Sequence, residues 1–463
     1  MGPDKQNDSF ESRTRKLIKD VGGTESTALD GALDELAVHI SAADDWISTP
    51  AGQMMFLSTI NLVGRFCHNI SFHRSLAGVS TIVDFPLADE LTLGDTAASL
   101  GSKINPRMNL SPVSECPTAA VRLGIGTPAE ISISSSGWYA YLNWRRTIIG
   151  PSCDLNPFGP LMASCFASAE VFRQLIRNLG VKGSVAQRSL RDIRFSTLDC
   201  TSTDFLAFNP PFPSNIEIGA VLFSGCGAVA HGAVAALSQI HNLTGKCTFL
   251  DDELISASNV SRYFMSSLTD IGRQKPGVLV GSLAGTSVEV TSLYAPLETL
   301  SQKDIRRYSC VISGLDNRNK NSSRFHLQSH LPRWIIHTAT HGLSIAVANI
   351  DFAHGACLGC LFSPRTEDLI AVPDPMCGGV ILKSNDEGIA ASVSFVSAAS
   401  GILAASELVK RSVPELTSFT LDNYLSMSMM SPDLADIRRR EKDRGCLCLC
   451  SEEYTQRAFQ SPK

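Results

Sequence analysis

The sequence predicts an α/β protein of two domains, and three observations lead to this expectation. The chain has 463 residues, and one hydrophobic core rarely extends past roughly 250–300 residues. Strand-like and helix-like patterns alternate through the first half, as they do in α/β units. An apolar run from Ile218 leads into a glycine turn and then into an Ala/Val-rich helical pattern. Hydrophobic residues make up 44% of the chain, which is enough to bury a sizeable core.

The first half is expected to fold as an α/β domain over residues 31–208. It follows a polar, charged segment at 1–30, whose composition predicts a flexible lead-in. The proline-dense stretch 209–215 predicts a domain boundary, because proline and asparagine cluster where regular structure ends. The second domain is therefore expected at 214–463.

Four segments of the first domain carry a periodic signal. Residues 52–70 fit either a helix or strands, and the pattern does not separate the two. Strands are predicted at 81–85 and 130–134, where β-branched and apolar residues cluster. An amphipathic helix is predicted at 161–179. This half shows no glycine turn followed by an acidic strand end, so we expect it to lack a nucleotide site.

The glycine turn of the second half is the first candidate binding feature. Gly225 and Gly227 follow the apolar strand pattern and precede a helix, so their backbone N–H groups are expected to face a phosphate. The spacing departs from that of a dinucleotide-binding turn, because Ala230 stands where the third glycine is expected. A turn of this kind alone is a weak signal.

An acidic strand end follows the turn and strengthens the prediction. The apolar strand 247–250 runs into Asp251 and Glu253, and a carboxylate at a strand end suits the hydroxyl pair of a ribose. Asn259 and Arg262 come next, three residues apart, a spacing that suits a triphosphate. Taken singly, Asp251 is more readily interpreted as a cap and Arg262 as part of a solvated helix face.

Taken together and in this order, the features resemble the ThiF-type superfamily, which includes the ubiquitin-activating enzymes. The family pattern continues with Gly-x-x-Lys and Asp-Asn, and this chain has Gly272 to Lys275 and then Asp316 with Asn317. The resemblance covers the part of the chain from Ile218 onward. It departs at Glu253, where aspartate is usual. It implies a Rossmann-like adenylation domain, preceded here by a degenerate α/β domain.

The resemblance also implies ATP and Mg²⁺ as cofactors and gives each site residue a role. Gly225 and Gly227 would allow the protein backbone to approach the nucleotide closely. Asp251 would bind the ribose and Asn259 would orient the phosphates. The remaining roles are phosphate binding by the catalytic Arg262 and by Lys275, and Mg²⁺ binding by Asp316.

Cysteine spacing predicts a zinc site. Cys357 and Cys360 form a Cys-x-x-Cys pair, which chelates one tetrahedral ion readily. A second pair is needed, and the run Gly445–Cys450 offers three alternating cysteines, where the resemblance also places one. Cys448 with Cys450 is our first choice and Cys446 is the alternative. The competing interpretation is two unconnected groups of thiols.

Cys377 is the candidate nucleophile. It is flanked by Pro and Gly residues, which predict an accessible loop, and a helix of small residues is predicted after it at 389–408. In the related enzymes a loop cysteine at this point receives the activated C-terminus or its sulfur. A surface cysteine without a role is the other interpretation.

The function implied is ATP-dependent activation of a ubiquitin-like protein, followed by thioester formation on Cys377 and transfer to a conjugating (E2-like) enzyme. An adenylyltransferase for a sulfur-carrier protein or small peptide is one alternative, and a catalytically dead binding scaffold is another. The degenerate first domain would be an inactive partner or an unrelated appended domain. As an inactive partner it would donate an arginine to the ATP site, with Arg13, Arg15 and Arg65 as candidates.

Charge and composition limit the other partners. The net charge is −5 and basic blocks are absent, which argues against nucleic acid. No apolar run reaches the ~18 residues that a membrane span needs. The polar N-terminus lacks an apolar signal core, so a cytoplasmic location is expected. Oligomeric state is left open, with a homodimer among the expectations.

Overall fold

The protein contains two mixed β-sheets with helices packed on them. The computed structural model describes residues 10, 12–22, 31, 33–116, 118–145, 149–151, 154–180, 192–202, 209–315, 332–351, 356–361, 392–439 and 441. The α/β fold class predicted from the sequence is confirmed.

Seven strands of the N-terminal sheet lie in the described residues. They are β1 (Ala37–Ala42), β2 (Asn69–His73), β3 (Asn109–Val113), β4 (Val121–Ile125), β5 (Ile131–Ser136), β6 (Tyr139–Trp144) and β7 (Ile193–Ser196). Their order across the sheet is β3-β2-β1-β4-β5-β6-β7. The strands from β3 to β5 run parallel, and β6 and β7 add two antiparallel pairings. The helices of this half are α1 (Ser12–Gly22), α2 (Asp44–Ile47), α3 (Pro50–Gly64), α4 (Leu93–Ile104) and α5 (Phe158–Asn178).

The structure can be compared with three sequence predictions in this half, those for residues 52–70, 130–134 and 161–179. Residues 52–70 contain most of α3 and the start of β2, with Thr49 capping the helix by accepting a hydrogen bond from the N–H of Gly52 at 3.1 Å. Helix α3 is buried on every side, which explains why its sequence shows no amphipathic period. The predictions at 130–134 and 161–179 are confirmed by β5 and α5.

The strand predicted at 81–85 is wrong. The segment forms only one isolated bridge, between Phe85 and Ala88. The Phe85 side chain packs outside the sheet instead. Its ring lies 6.1 Å from that of Phe264 in the second half. Gln239 also donates to the Asp84 carbonyl at 2.7 Å. Tertiary contacts override the strand propensity of the β-branched residues here.

Within the part of the chain that the structure describes, the C-terminal sheet has eight strands. They are β8 (Ile216–Ser224), β9 (Leu243–Asp251), β10 (Ser287–Tyr294), β11 (Cys310–Ser313), β12 (Ile335–His341), β13 (Ser344–Ile350), β14 (Tyr424–Ser428) and β15 (Ser431–Arg438). The order is β10-β9-β8-β11-β12-β13-β14-β15, parallel from β10 to β12 and antiparallel beyond. The helices are α6 (Ala228–Leu237), α7 (Ala257–Val260), α8 (Lys275–Gly281), α9 (Gln302–Ile305), α10 (Leu358–Leu361) and α11 (Ser394–Ser412). Helix α11 confirms the helix predicted at 389–408 from Ser394 onward.

The two sheets share one topology. In each, the third, second, first, fourth and fifth strands lie side by side and parallel, and antiparallel strands follow. The strand order reverses between β1 and β4 in the N-terminal sheet and between β8 and β11 in the C-terminal sheet. Ligands of open α/β sheets bind at such a switch point, beyond the carboxyl ends of the strands.

Trp46 fills the switch point of the N-terminal sheet. Its indole, contributed by α2, is 1% exposed. It lies so close to Gly126, the residue after β4, that a Cβ atom added there would overlap the ring, and Gly126 has a positive φ of +62°. Trp46 thus lies at the carboxyl end of β4, beside the position at which open α/β sheets bind ligands.

Helix α11 joins the two halves. It packs against α6 in the second half and against α5 in the first. The Phe395 ring lies 6.2 Å from Phe66 and 5.7 Å from Phe172. Near its other end, Lys410 donates to the carbonyl of Leu198 at 2.6 Å. The core is thus continuous across the two halves.

Glycines allow α6 and α11 to cross closely. A Cβ added at Gly232 of α6 would lie 2.7 Å from the carbonyl oxygen of Ala398. One added at Gly401 of α11 would overlap the carbonyl of Val229 and lie 2.5 Å from the nitrogen of Ala233. Both helices approach backbone to backbone, which only glycine permits.

Candidate nucleotide site

The glycine turn lies at the switch point of the C-terminal sheet. Gly225 follows β8 with φ +87°, and its N–H donates to the Leu250 carbonyl of β9 at 3.0 Å. A Cβ at Gly225 would come within 3.4 Å of the backbone of Gly314, which follows β11. The predicted strand, turn and helix are all present as β8, the turn and α6. The turn is therefore placed where this fold class binds ligands.

Asp251 supports the turn from the end of β9. One carboxylate oxygen accepts from the N–H of Cys226 at 2.7 Å, and the other accepts from the N–H of Glu253 at 2.9 Å. Burial raises the pKa of Asp251 above its usual range, while the nearby Lys275 and the two N–H donors counteract part of that rise. Each carboxylate oxygen retains a lone pair for a ligand hydroxyl. The carboxylate thus fixes the conformation of the turn itself.

Asn259 and Arg262 lie on and just after α7, which is four residues long. The Asn259 side chain accepts from the N–H of Ser256 at 3.1 Å and closes the capping box of this helix. The Arg262 guanidinium stands 5.2 Å from the centre of the Tyr263 ring. Its Nε is buried and has no hydrogen-bond partner within the described part of the chain. A buried, unsatisfied guanidinium nitrogen fits an anionic ligand.

Lys275 begins α8 and faces the same ring. Its ammonium is paired with Glu253 and lies 5.9 Å from the centre of the Tyr263 ring. Burial alone would lower the pKa of Lys275, but Tyr263, Asp251 and Glu253 outweigh it and hold the pKa above the ordinary value. Lys275 is therefore a fixed cation across the physiological range.

Tyr263 connects these groups, and the sequence reasoning missed it. Its ring is almost fully buried and carries Arg262 and Lys275 within cation–π distance. A Cβ added at Gly227 would lie 3.6 Å from the Tyr263 hydroxyl, so the ring reaches the glycine turn. The signal that could have found it is its position, directly after the predicted arginine.

His231 is a second residue that the sequence reasoning missed. It lies in α6, and its ring centre is 4.5 Å from that of Tyr263. Both ring nitrogens are buried and lack a hydrogen-bond partner within the described residues. Burial lowers the pKa of His231 well below its usual value, and the charges of Arg65, Lys275 and Arg262 lower it further. The imidazole is thus neutral.

The three arginines expected from the first half take different places. Arg13 of α1 reaches the site: its Nε donates to the hydroxyl of Ser258 at 3.2 Å. Arg15 lies on the same helix. Arg65 is completely buried and donates to the backbone carbonyls of Phe264 and Ser266, so its guanidinium is engaged within the protein. Phe10 packs against the apolar cluster that includes Tyr263.

The predicted zinc pair lies apart from this cluster, at α10. The sulfur atoms of Cys357 and Cys360 are 3.6 Å apart. Two thiolates on one tetrahedral zinc, each about 2.3 Å from the metal, would stand about 3.8 Å apart, so the pair fits. Among the described residues there is no group of three or more side chains placed to hold a metal.

The remaining predicted residues lie outside the described part of the chain. They are Asp316, Cys377, Cys446, Cys448 and Cys450. Their roles stay predictions. Within the described part, contacts connect the glycine turn, Asp251, Arg262 and Lys275 into one cluster, while Asn259 is engaged in capping.

Comparison with known families decides the affiliation. The model of the ThiF family matches residues 205–448, just over half of the chain. The chain belongs to the ThiF family. The resemblance inferred from the sequence is thereby confirmed. A second model, described as the BilD N-terminal domain, matches residues 37–191 of this ThiF-family chain.

Two individual proteins are similar to this ThiF-family chain. A Sinorhizobium fredii protein named uncharacterized protein y4jF is 24% identical over 492 residues, covering 91% of this chain and 90% of that protein. Among solved structures, that of E. coli MccB with succinimide is 13% identical, covers 51% of this chain and 67% of MccB, and has a TM-score of 0.37.

Membership of the ThiF family assigns an activity class. Enzymes of this family are adenylyltransferases that use ATP and Mg²⁺ and act on a small protein or peptide. The cluster described above holds two fixed cations beside the glycine turn, and such chemistry requires preorganised charge of this kind. The N–H groups of Gly225 and Cys226, however, donate to Leu250 and Asp251 within the protein. None of the helices in the described part of this ThiF-family chain is long and apolar enough to cross a membrane.

Proposed function

We propose that this protein activates a ubiquitin-like protein. The C-terminal glycine carboxylate of that partner attacks the α-phosphorus of ATP, giving an acyl-adenylate and pyrophosphate. The Cys377 thiolate then attacks the acyl carbon, forming a thioester and releasing AMP. Transfer of the acyl group to a cysteine of a conjugating enzyme regenerates the thiol. Adenylation makes the carboxylate reactive, because adenylate is a far better leaving group than hydroxide, and the thiolate divides the acyl transfer into two easier steps.

One observation carries the proposal: two fixed cations flank a buried ring that touches the glycine turn. Arg262 and Lys275 stand 5.2 and 5.9 Å from the centre of the Tyr263 ring. Triphosphate charge developing during adenylation needs preorganised cations and N–H donors at one place. The unsatisfied Nε of Arg262 is a direct candidate for a phosphate oxygen.

The other residues receive roles in keeping with their positions. Asp251 holds the turn and has lone pairs left for the ribose hydroxyls, and Asn259 orients the loop that carries Arg262. Mg²⁺ bound by Asp316 would neutralise phosphate charge, as bound metal ions do. Gly225 and Gly227 let the nucleotide approach the backbone.

The first half supports the choice of a ubiquitin-like partner over a sulfur carrier. We propose that residues 31–208 are an inactive adenylation-like domain fused to the active domain at 214–463. Its sheet has the topology of the active one, but Trp46 fills its switch point. Fused pairs of one active and one inactive domain are typical of ubiquitin-like activation.

We also propose one structural zinc, bound by Cys357, Cys360 and two of the three C-terminal cysteines. The separation of the first two sulfurs, 3.6 Å, fits such a site. Elemental analysis of the purified protein is expected to give one equivalent of zinc, and Cys357→Ser should lower both the zinc content and the thermal midpoint. Protein purified without zinc would refute the site.

Adenylation is tested by ATP–pyrophosphate exchange in the full-length protein with ubiquitin-like proteins that end in glycine. We expect exchange that depends on that glycine. Lys275→Met should reduce it by about 100-fold, because one preorganised charge is removed. Lys246→Met is the matched control, since this exposed lysine pairs with Glu289 at the sheet edge and should leave exchange unchanged. Exchange that persists in Asp316→Ala would contradict the Mg²⁺ assignment.

The thioester step has its own measurement. Cys377→Ala should keep exchange and lose the reducible adduct seen on a non-reducing gel. A reducible adduct in this variant would move the nucleophile to another cysteine. Exchange with no adduct even in the wild type would favour the adenylyltransferase alternative.

A further inference from the structure

Arg65 is a fully buried charge at the boundary between the two halves. It follows α3 of the first half and is 0% exposed. Its Nη2 donates to the carbonyls of Phe264 at 2.9 Å and Ser266 at 3.1 Å, and its Nη1 donates to the carbonyl of Val260. All three carbonyls belong to the second half. One side chain thus ties three points of one loop to the neighbouring helix.

Asn61, one turn earlier in α3, completes the arrangement. Its side-chain oxygen accepts from the Arg65 Nε at 2.7 Å, and its amide nitrogen donates to the Phe264 carbonyl at 3.0 Å. All of these acceptors are neutral carbonyl oxygens. Burial lowers the pKa of Arg65 to about 9. A charge buried against neutral acceptors is costly, so its hydrogen bonds must be well made to persist.

The three carbonyls lie on either side of two residues of the candidate nucleotide site. Val260 comes two residues before Arg262, and Phe264 comes directly after Tyr263. Arg65 therefore holds the backbone on both sides of Arg262 and Tyr263. The side chains of these two residues belong to the candidate nucleotide site. Without Arg65 the loop would lose three donors at once, and a lysine could not span the same three oxygens.

We infer that Arg65, oriented by Asn61, is a positioning residue through which the first half holds the loop 260–266 in its nucleotide-binding geometry. The inference rests on the proposed function, because it gives the inactive half a role in ATP binding. Arg65 does not touch the nucleotide. It acts through the backbone that carries Arg262 and Tyr263.

The test compares three full-length variants with the wild type. Arg65→Met removes all the donors of the arginine while keeping an unbranched chain. Asn61→Ala removes one of the two donors to Phe264 and also the oxygen that accepts from the Arg65 Nε. The control is Glu170→Gln with Arg173→Met. Arg173 is also a buried arginine of the first half, and it donates to the Met430 carbonyl of the second half at 2.7 Å, outside the loop 260–266. Each variant is measured by calorimetric ATP titration and by hydrogen–deuterium exchange.

Arg65→Met should weaken ATP binding about 10-fold or more, because small displacements of positioned groups are costly. Asn61→Ala should give an intermediate loss, and the control should stay within about 2-fold of the wild type. Amide exchange in 260–266 should rise in the first two variants alone. Unchanged ATP affinity in folded Arg65→Met, or an equal loss in the control, would overturn the inference. If Arg65→Met does not fold, Asn61→Ala decides by the same criteria.

The two measurements separate this inference from the proposed function. A wild type that binds no ATP would refute the proposed function. The amide exchange of the loop needs no nucleotide, so unchanged exchange in Asn61→Ala and Arg65→Met would refute the positioning role by itself.

Discussion

His231, in the candidate nucleotide site, makes the stability of the protein depend on pH because its imidazole is buried. The unfolded chain binds a proton at this histidine as the pH falls through about 6.5, its ordinary pKa. The folded chain does not, because burial holds the pKa of His231 well below that value. Protons therefore favour the unfolded state. The stability is complete above pH 6.5 and falls as the pH drops toward the folded-state pKa, by about 1.4 kcal/mol per pH unit.

His231→Leu should remove this component of acid sensitivity. The plot of unfolding free energy against pH should be flatter than that of the wild type between about pH 6.5 and 5. At pH 7.5 the variant should be as stable as the wild type or about 1 kcal/mol more stable, because two unsatisfied buried nitrogens are gone. Urea unfolding at several pH values measures both. His241→Gln, at an exposed site, is the control, and equal acid slopes in His231→Leu and the wild type would refute the prediction.

At the residue scale, the sequence indicated the groups that belong to a local motif. Gly225, Asp251, Arg262 and Lys275 were predicted and do lie in one cluster. Tyr263 and His231 were missed, because an aromatic residue and a histidine in apolar surroundings are usually core residues. Their closeness to two cations results from the packing of α6 against the loop, and no spacing in the sequence encodes that.

At the scale of elements, the crossing of α6 and α11 imposes a steric limit, since a Cβ atom at Gly401 would overlap the carbonyl oxygen of Val229. Gly401→Ala should destabilise the protein by about 3 kcal/mol, because the added methyl group meets the backbone of the facing helix. Chemical denaturation measures the loss. Gly277→Ala in α8 is the matched control, since nothing lies within 4 Å of its Cβ position.

In the Gly277→Ala control the new methyl group meets open space. Alanine there should stabilise α8 by about 0.5–1 kcal/mol through the reduced entropy of the unfolded chain. Two equal changes in stability would show that the helix crossing can relax, which would contradict the close approach.

The sequence predicted an element correctly where neighbouring residues in the chain determine its structure. The strand, turn and helix around Gly225 were predicted because alternation, glycine and small residues all agree there. Helix α3 was ambiguous, since burial on every side removes the amphipathic signal. Residues 81–85 have the composition of a strand, but Phe85 is used against Phe264 of the other half, and that contact is invisible in the local sequence.

At the scale of the whole molecule, we expect the two halves to fold as one unit, because they share one hydrophobic core. A protein that begins near Ser214 would lack the donors to Phe264, Ser266 and Met430 and would expose the face of α11 that carries Phe395. We expect it to be insoluble or to unfold without cooperativity, because buried carbonyls and apolar surface would both be left uncovered. Expression trials and circular dichroism measure this. A soluble, cooperatively folding and fully active fragment would contradict it.

The shared topology of the two sheets could not be read from the sequence. Alternating strand and helix signals predicted an α/β first half. The lack of a glycine turn predicts that this half has no nucleotide site, and that remains a prediction. The strand order is a tertiary property, and so is the placement of Trp46 at the switch point. Sequence patterns indicate which elements exist, while long-range packing decides where each strand stands.

The position of α11 in the chain also has a consequence for the order of events during synthesis. The surface of α5 that α11 covers is complete when Asn178 has been made, but α11 begins only at Ser394. About 200 residues separate the two, which a ribosome adds in roughly 10–40 s. For that time the first half leaves the ribosome with an uncovered apolar face around Phe66 and Phe172. Protection of the nascent chain during this interval is thus a requirement that the architecture places on the cell.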